Sequence, residues 1–210
     1  MEIPVDYGKP TLVHHHGSHY RINGGPPGIC STLDLELAGA GTWIPSPIDL
    51  DSIQSAPRKN AVPTIAHAPT NRALKSTAAF EAAMDRLGDR AQRLIIEGVS
   101  NAECLRLKAT ADIYFDQTTY GYGVNGIEAM ALGIPVVAGA QPDTLAEMER
   151  RFPIPFYTST EDTLYYDLLD LVSSQVRRDY WGRMGLEHVR RFHDERVVVK
   201  QLEAIYRRLA

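Results

Sequence analysis

The sequence predicts an α/β chain: a Rossmann-like parallel sheet with helices on both faces, preceded by a small N-terminal segment of different character. Three observations carry this. From residue 64 onward, short apolar runs alternate with helix-length segments. The runs are continuous rather than alternating in polarity, as in strands buried on both faces of a parallel sheet. The first fifty residues, rich in Gly, Pro and His, lack this regularity and show no convincing helix. The chain has 210 residues, 44% hydrophobic and 23% charged, enough for one good-sized domain or one domain and part of another. Its 22 Lys and Arg against 26 Asp and Glu give a net charge of −4, which argues against a general nucleic-acid-binding surface. No apolar run reaches the roughly 18 residues of a membrane span. The N-terminus lacks a charged-then-apolar leader pattern, so a cytoplasmic protein is expected. Cys30 and Cys104, far apart in sequence, are expected as reduced, packed thiols.

In chain order, 11–16 reads as a short strand ending in a turn at Gly17 and Ser18, and 21–28 as loop. Segments 28–32 and 41–45 read as short strands, and the Pro-punctuated stretch 45–63 as a connector. The expected division is a truncated N-terminal segment with the linker start over 1–48, and a Rossmann-like domain over 49–210. Strands follow at 64–69, 91–98, 112–117, 134–139 and 155–159. Helices are predicted at 73–88, closed by Gly88, at 101–111, capped by Ser100, at 124–133 and at 144–152. Three further helical segments run over 161–175, 176–193 and 195–210. The last carries an apolar stripe of Val198, Leu202, Ile205, Tyr206 and Leu209 that needs a partner surface.

Parallel sheets of this kind bind ligands beyond the C-terminal ends of their strands, which points to the loops around 67–75, 97–101, 116–128 and 139–145. In "DQTTYGYGVNGIEAMALG" (116–133), glycines precede a helix whose unpaired N–H groups and positive dipole end suit a phosphate. Glu128, one turn inside, is poorly placed for phosphate and suited to sugar hydroxyls. Spacing alone favours a plain first-turn helix acid. In "HAPTNRALKST" (67–77), Arg72 and Lys75 flank a helix start and form either an anion site or a pair of solvated cations. His14, His15 and His16 read as native strand residues, a metal cluster or a tag scar; on a strand only His14 and His16 share a face.

Together these residues carry a resemblance. "GYGVNGIEAMALGIPVVAG" resembles the signature of GT-B glycosyltransferases of the "glycosyl transferases group 1" kind, matching at Glu128-Ala129-Met130-Ala131, Gly133 and Pro135-Val136-Val137-Ala138. "HAPTNRALKST" resembles that family's basic diphosphate-binding segment, with Lys75 at its lysine. "HGSHYR" (16–21) is similar to a loop of its N-terminal domain, and "WIPSPIDLD" (43–51) to its interdomain linker.

The resemblance implies a retaining transferase that needs no cofactor and no metal. A nucleotide-diphospho-sugar donor would bind through Arg72, Lys75, Tyr120, Gly121, Gly123, Val124 and Glu128. His16 and Asp116 are the candidate catalytic residues, and the acceptor is a hydroxyl on a glycan, lipid, protein or modified nucleic-acid base. Two departures stand out. The family's first glutamate is replaced by Tyr120, with Asp116 and Gln117 nearby as its candidate substitutes. And the N-terminal half is short, which implies a small transferase, a missing half supplied by a homo-oligomer or partner chain, or a fragment; Tyr120 at the glutamate position is also compatible with a non-catalytic remnant.

Overall fold

The computed structural model describes residues 12–16, 28–53 and 60–209. Its first unit is a three-stranded parallel sheet in the order β1 (His14–His15), β2 (Gly28–Cys30) and β3 (Gly41–Trp43). Ile29 sits between His14 and Thr42 in register. A five-residue helix, α1 (Leu33–Leu37), intervenes between β2 and β3, in the stretch for which the sequence predicts no helix. A helix this short has too few turns to show a periodicity; burial of Leu33 and Leu35 holds it in place. The segment 17–27 lies outside the described residues, as does 54–59 of the connector.

The second sheet follows the sequence reading closely. β4 (Thr64–His67), β5 (Gln92–Ile95), β6 (Ile113–Phe115), β8 (Val136–Ala140) and β9 (Tyr157–Thr158) are parallel, in the spatial order β5-β4-β6-β8-β9. The added piece is β7 (Tyr120–Gly121), a two-residue strand that turns back antiparallel against the end of β8, pairing Tyr120 with Ala140. Alternate strand residues serve opposite faces. Ala66, Tyr114, Val136 and Ala138 join a core beneath α3 (Asn101–Lys108) and α4 (Val124–Ala131). Ile65, Ile113, Phe115 and Val137 join a second core on the other side, beneath α2 (Thr77–Leu87) and α6 (Leu164–Ser173). Helix α2 meets that core through Phe80, Ala83, Met84 and Leu87, the spacing of one helical face. Ser100 caps α3 by accepting the Glu103 N–H, and Pro142 opens α5 (Pro142–Arg151).

The two sheets are joined through the C-terminal helices. α7 (Gln175–His188) runs into a π-helical turn (Val189–His193) and then α8 (Glu195–Leu209). Ile48 of the linker donates to His193 O at 2.7 Å and accepts from Glu195 N–H at 3.0 Å, so both crossings of the chain meet at one point. Beyond it, Val198 packs on Ile29 and Ile44, with Leu202 and Ile205 alongside, so α8 covers the first sheet. Tyr206 and Leu209 of the expected stripe stay exposed.

At the crossing the Tyr122 hydroxyl lies 2.7 Å from His188 Nε2 and 3.2 Å from His193 Nε2. His193 Nδ1 lies 2.9 Å from the Ser46 carbonyl, which can only accept. The tautomers follow if both rings are neutral: His193 carries its proton on Nδ1, Tyr122 donates to His193, and His188 donates to Tyr122. Burial favours the neutral rings, lowering His188 to about 2 and His193 to about 4.

These shifts predict acid sensitivity. Above about pH 6.5 both histidines are neutral whether the chain is folded or not, and contribute no pH dependence. Below it the unfolded chain takes up protons that the folded chain refuses, so stability falls, by roughly 1.4 kcal/mol per pH unit for each ring. Urea titrations at pH 7.5, 6.5 and 5.5 should show a flat upper interval and a falling lower one. In His188→Leu the fall should be shallower; an unchanged slope would remove this histidine from the account.

Candidate functional site

Counting from β4, the chain steps outward to β5 and then crosses back to β6, so the strand order reverses between β4 and β6. Side chains beyond the C-terminal ends of these two strands converge there. A cavity of about 490 Å³ opens at this point between the two sheets. Its first-sheet wall is made by His16, Ser31, Thr32 and Ser46; its second-sheet wall runs from Thr70 to Lys75 and from Gln117 to Ile127. A larger cavity of about 850 Å³ lies at the opposite end of the sheet, where Asp112 precedes β6 and Pro135 precedes β8. The smaller one is the candidate, because it holds the glycine loop, a helix N-terminus and Lys75 together.

Asp116 organises this cavity from below. Only 1% exposed, it follows β6 directly and accepts from Lys75 Nζ at 2.6 Å through one oxygen and from Gly123 N–H at 2.6 Å through the other. Gly126 leaves room for it: a Cβ there would sit 2.8 Å from Asp116 Oδ2. Gln117, also buried, shapes the next turn by accepting from Tyr120 N–H at 2.8 Å and donating to the Gly121 carbonyl. Gly121 itself takes φ +83°, a conformation closed to most side chains.

The β4–α2 loop is equally determined. Asn71 Oδ1 accepts from Ala73 and Leu74 N–H, an Asx turn that delays the start of α2 to Thr77, four residues later than the sequence predicts. Ser76 sits at φ +50°, an uncommon conformation for a residue with a side chain, and its hydroxyl lies 2.7 Å from Thr118 Oγ1. Beneath it, His67 bridges the Phe115 carbonyl at 3.0 Å and Thr77 Oγ1 at 2.8 Å, and burial lowers its pKa.

The structure brings His16, Lys75, Tyr120, Gly123 and Val124 to the cavity wall. The Gly123 N–H is turned inward to Asp116; the amides of Val124, Asn125 and Gly126 precede the first helical bond, Ile127 N–H to Gly123 O. Arg72, Gly121 and Glu128 are not among the residues that line it. Arg72 is half-exposed and held by both oxygens of Glu97, at 2.9 and 2.7 Å, and by Glu81 at 3.1 Å. Glu128 faces α3, where Asn101 Nδ2 lies 3.0 Å from Oε1 and the buried Lys108 ammonium meets Oε2. His14 and His16 share a face, with ring centroids 4.0 Å apart. Among the described residues no group of three His, Cys, Asp or Glu converges as a metal site, Cys30 and Cys104 are free, and no helix is long and apolar enough to cross a membrane. Sequence reasoning passed over Tyr122, Lys108 and Asn101. The only signal for them was the improbability of a lysine at a helix position facing the core.

No family model and no curated protein matches the sequence. Solved structures do. The Anabaena protein HepE, in complex with UDP-glucose, superimposes with a TM-score of 0.67 at 14% identity, over 88% of this chain and 64% of HepE. A glycosyltransferase from Rickettsia africae gives 0.66 at 11% identity, over 91% and 66%. Staphylococcus aureus TarM gives 0.64 at 12%, over 86% and 43%. The fold is therefore that of GT-B glycosyltransferases, and the chain spans less than two thirds of HepE.

The grip of Asp116 is measurable. Asp116→Ala leaves Lys75 and the Gly123 N–H without their common acceptor and should cost about 2–3 kcal/mol, or roughly 4–12 °C in Tm. A variant melting with the wild type would mean that the glycine loop is held by its backbone alone.

Proposed function

We propose that this chain is a glycosyltransferase that moves a sugar from a nucleotide-diphospho-sugar to an acceptor hydroxyl, with retention at the anomeric carbon and without a metal ion. The observation that carries the reading is the convergence of Lys75, the first-turn amides of α4 and the Gly121–Gly123 loop on one cavity, in a fold shared with a HepE structure that holds UDP-glucose. In this reading the diphosphate lies at the α4 N-terminus. Lys75 has three donors and gives one to Asp116, leaving two for phosphate oxygens. Arg72 stands at the rim as a second cation. Glu128, on the α3 side of the same helix, takes the ribose hydroxyls.

The bond from the anomeric carbon to the diphosphate oxygen breaks, and the electron pair leaves with the nucleoside diphosphate. Lys75 and the helix dipole stabilise that charge where it develops. The acceptor oxygen then attacks the oxocarbenium-like sugar from the face of the departing group, and its proton passes to the leaving phosphate. His16, Ser31, Thr32 and Ser46 form the opposite wall, where the transferred sugar and acceptor would stand. Asp116, with both oxygens engaged below the cavity, supports Lys75 in this scheme. A second reading, a donor-binding half that takes its acceptor surface from a partner chain, is favoured by the first sheet having three strands among the described residues.

Isothermal titration with UDP, GDP and ADP, without added metal, tests the proposal directly. One nucleotide should saturate the site. Lys75→Ala and Glu128→Ala should each weaken it about tenfold or more, since a hydrogen bond to a charged group is worth roughly 1.5–3 kcal/mol. Binding unchanged in both variants would place the nucleotide elsewhere.

A further inference from the structure

Lys108 is fully buried at the C-terminal end of α3. Its ammonium donates to Glu128 Oε2 and, at 2.6 Å, to Asn125 Oδ1, and it stands 5.4 Å from the centre of the Tyr114 ring. Asn125 in turn donates to the Ala68 carbonyl just past β4, at 2.9 Å. Stability alone does not call for a lysine here. A buried ion pair exchanged for apolar residues of similar size is often as stable or more so. What the lysine does is make the two oxygens of Glu128 unequal. Oε2 is locked inward against a buried charge, while Oε1 faces Asn101, an exposed residue at the start of α3. A hydroxyl arriving from solvent therefore reaches Oε1, in competition with Asn101, and finds the carboxylate already fixed in one rotamer.

We propose that Lys108 is a positioning residue for the ribose of the donor nucleotide, acting through Glu128. The inference rests on the reading of Glu128 given above. Lys108 does not touch the nucleotide; it holds Glu128 so that its outer oxygen reads a ribose hydroxyl, and with Asn125 it ties that carboxylate to the end of β4.

The test takes whichever of UDP, GDP and ADP saturates the site and compares it with its 2′-deoxy form by titration calorimetry, because a general loss of structure would weaken both alike. The wild type should prefer the ribonucleotide by about tenfold or more, as expected for a charge-assisted hydrogen bond. In Lys108→Met, shown to be folded by circular dichroism, the preference should fall to within about twofold. Lys108→Met/Glu128→Gln, which removes both charges and remains informative if the single variant does not fold, should match Glu128→Gln for each nucleotide, since Lys108 acts only through Glu128. Retained preference in Lys108→Met alongside its loss in Glu128→Gln overturns the proposal while leaving the ribose reading intact. So does a double variant that differs more than threefold from Glu128→Gln. Wild-type preference retained in Glu128→Gln removes the ribose reading, and the proposal with it. Failure of the wild type to bind any of UDP, GDP and ADP removes the proposed donor site itself.

Discussion

The candidate site depends on one buried carboxylate. Asp116 ends the central strand β6 and divides its two oxygens between a side chain from the β4–α2 loop and a backbone amide at the start of α4. Buried carboxylates are stable only when paired and hydrogen-bonded, so the two contacts hold Asp116 as much as Asp116 holds them. The loops after β4 and β6 therefore share a fixed geometry across the reversal of strand order. Ser76–Thr118 and His67–Thr77 reinforce it from either side.

A pattern of matched charges follows. Lys75 meets Asp116, Arg72 meets Glu97 and Glu81, and Lys108 meets Glu128. The three cations differ in solvent access, and this sorts their roles. Arg72 is half-exposed, so its pairs are weak and can exchange for a ligand at little cost. Lys75 is mostly covered but turns donors toward the cavity. Lys108 has no access at all and can serve only its protein partners. For the proposed diphosphate ligand, Arg72 is thus the adaptable cation and Lys75 the fixed one.

Much of this was legible in the sequence. The strands of the second sheet announced themselves because a parallel sheet covered on both faces demands continuous apolar runs, and the helix starts at Ser100 and Val124 carried local signals. The turns of the glycine loop were readable because Asp116 and Gln117 close them within seven residues, whereas Lys75 meets Asp116 across 41 positions. What was not readable is long-range. The pairing of Glu128 with Lys108 spans 20 positions, and Tyr122 meets His188 and His193 across 66 and 71. The start of α2 was misplaced because the Asx turn at Asn71 competes with helix, and helix α1 because five residues contain no period. Arg72 could be assigned to a helix start from sequence, but Glu97 and Glu81, which hold it at the rim, come from other elements.

The joint between the two sheets carries a further consequence. Tyr122 lies between Gly121 and Gly123, so it belongs to the loop that shapes the cavity, yet its hydroxyl bonds to histidines at the chain crossing. His193 then reaches the Ser46 carbonyl, and Ser46 itself lines the opposite wall of the cavity. Both walls are thus tied to one chain of hydrogen bonds, buried at Tyr122, His188 and His193, whose direction is fixed by the tautomers. Rotation of the first sheet about the Ile48–His193 contact would have to stretch that chain or move the glycine loop with it. Because Tyr122, His188 and His193 are buried and would be left unsatisfied, the second response is the less costly. Loop and joint therefore respond together, and the spacing of the cavity walls is coupled to the conformation of the loop at the start of α4.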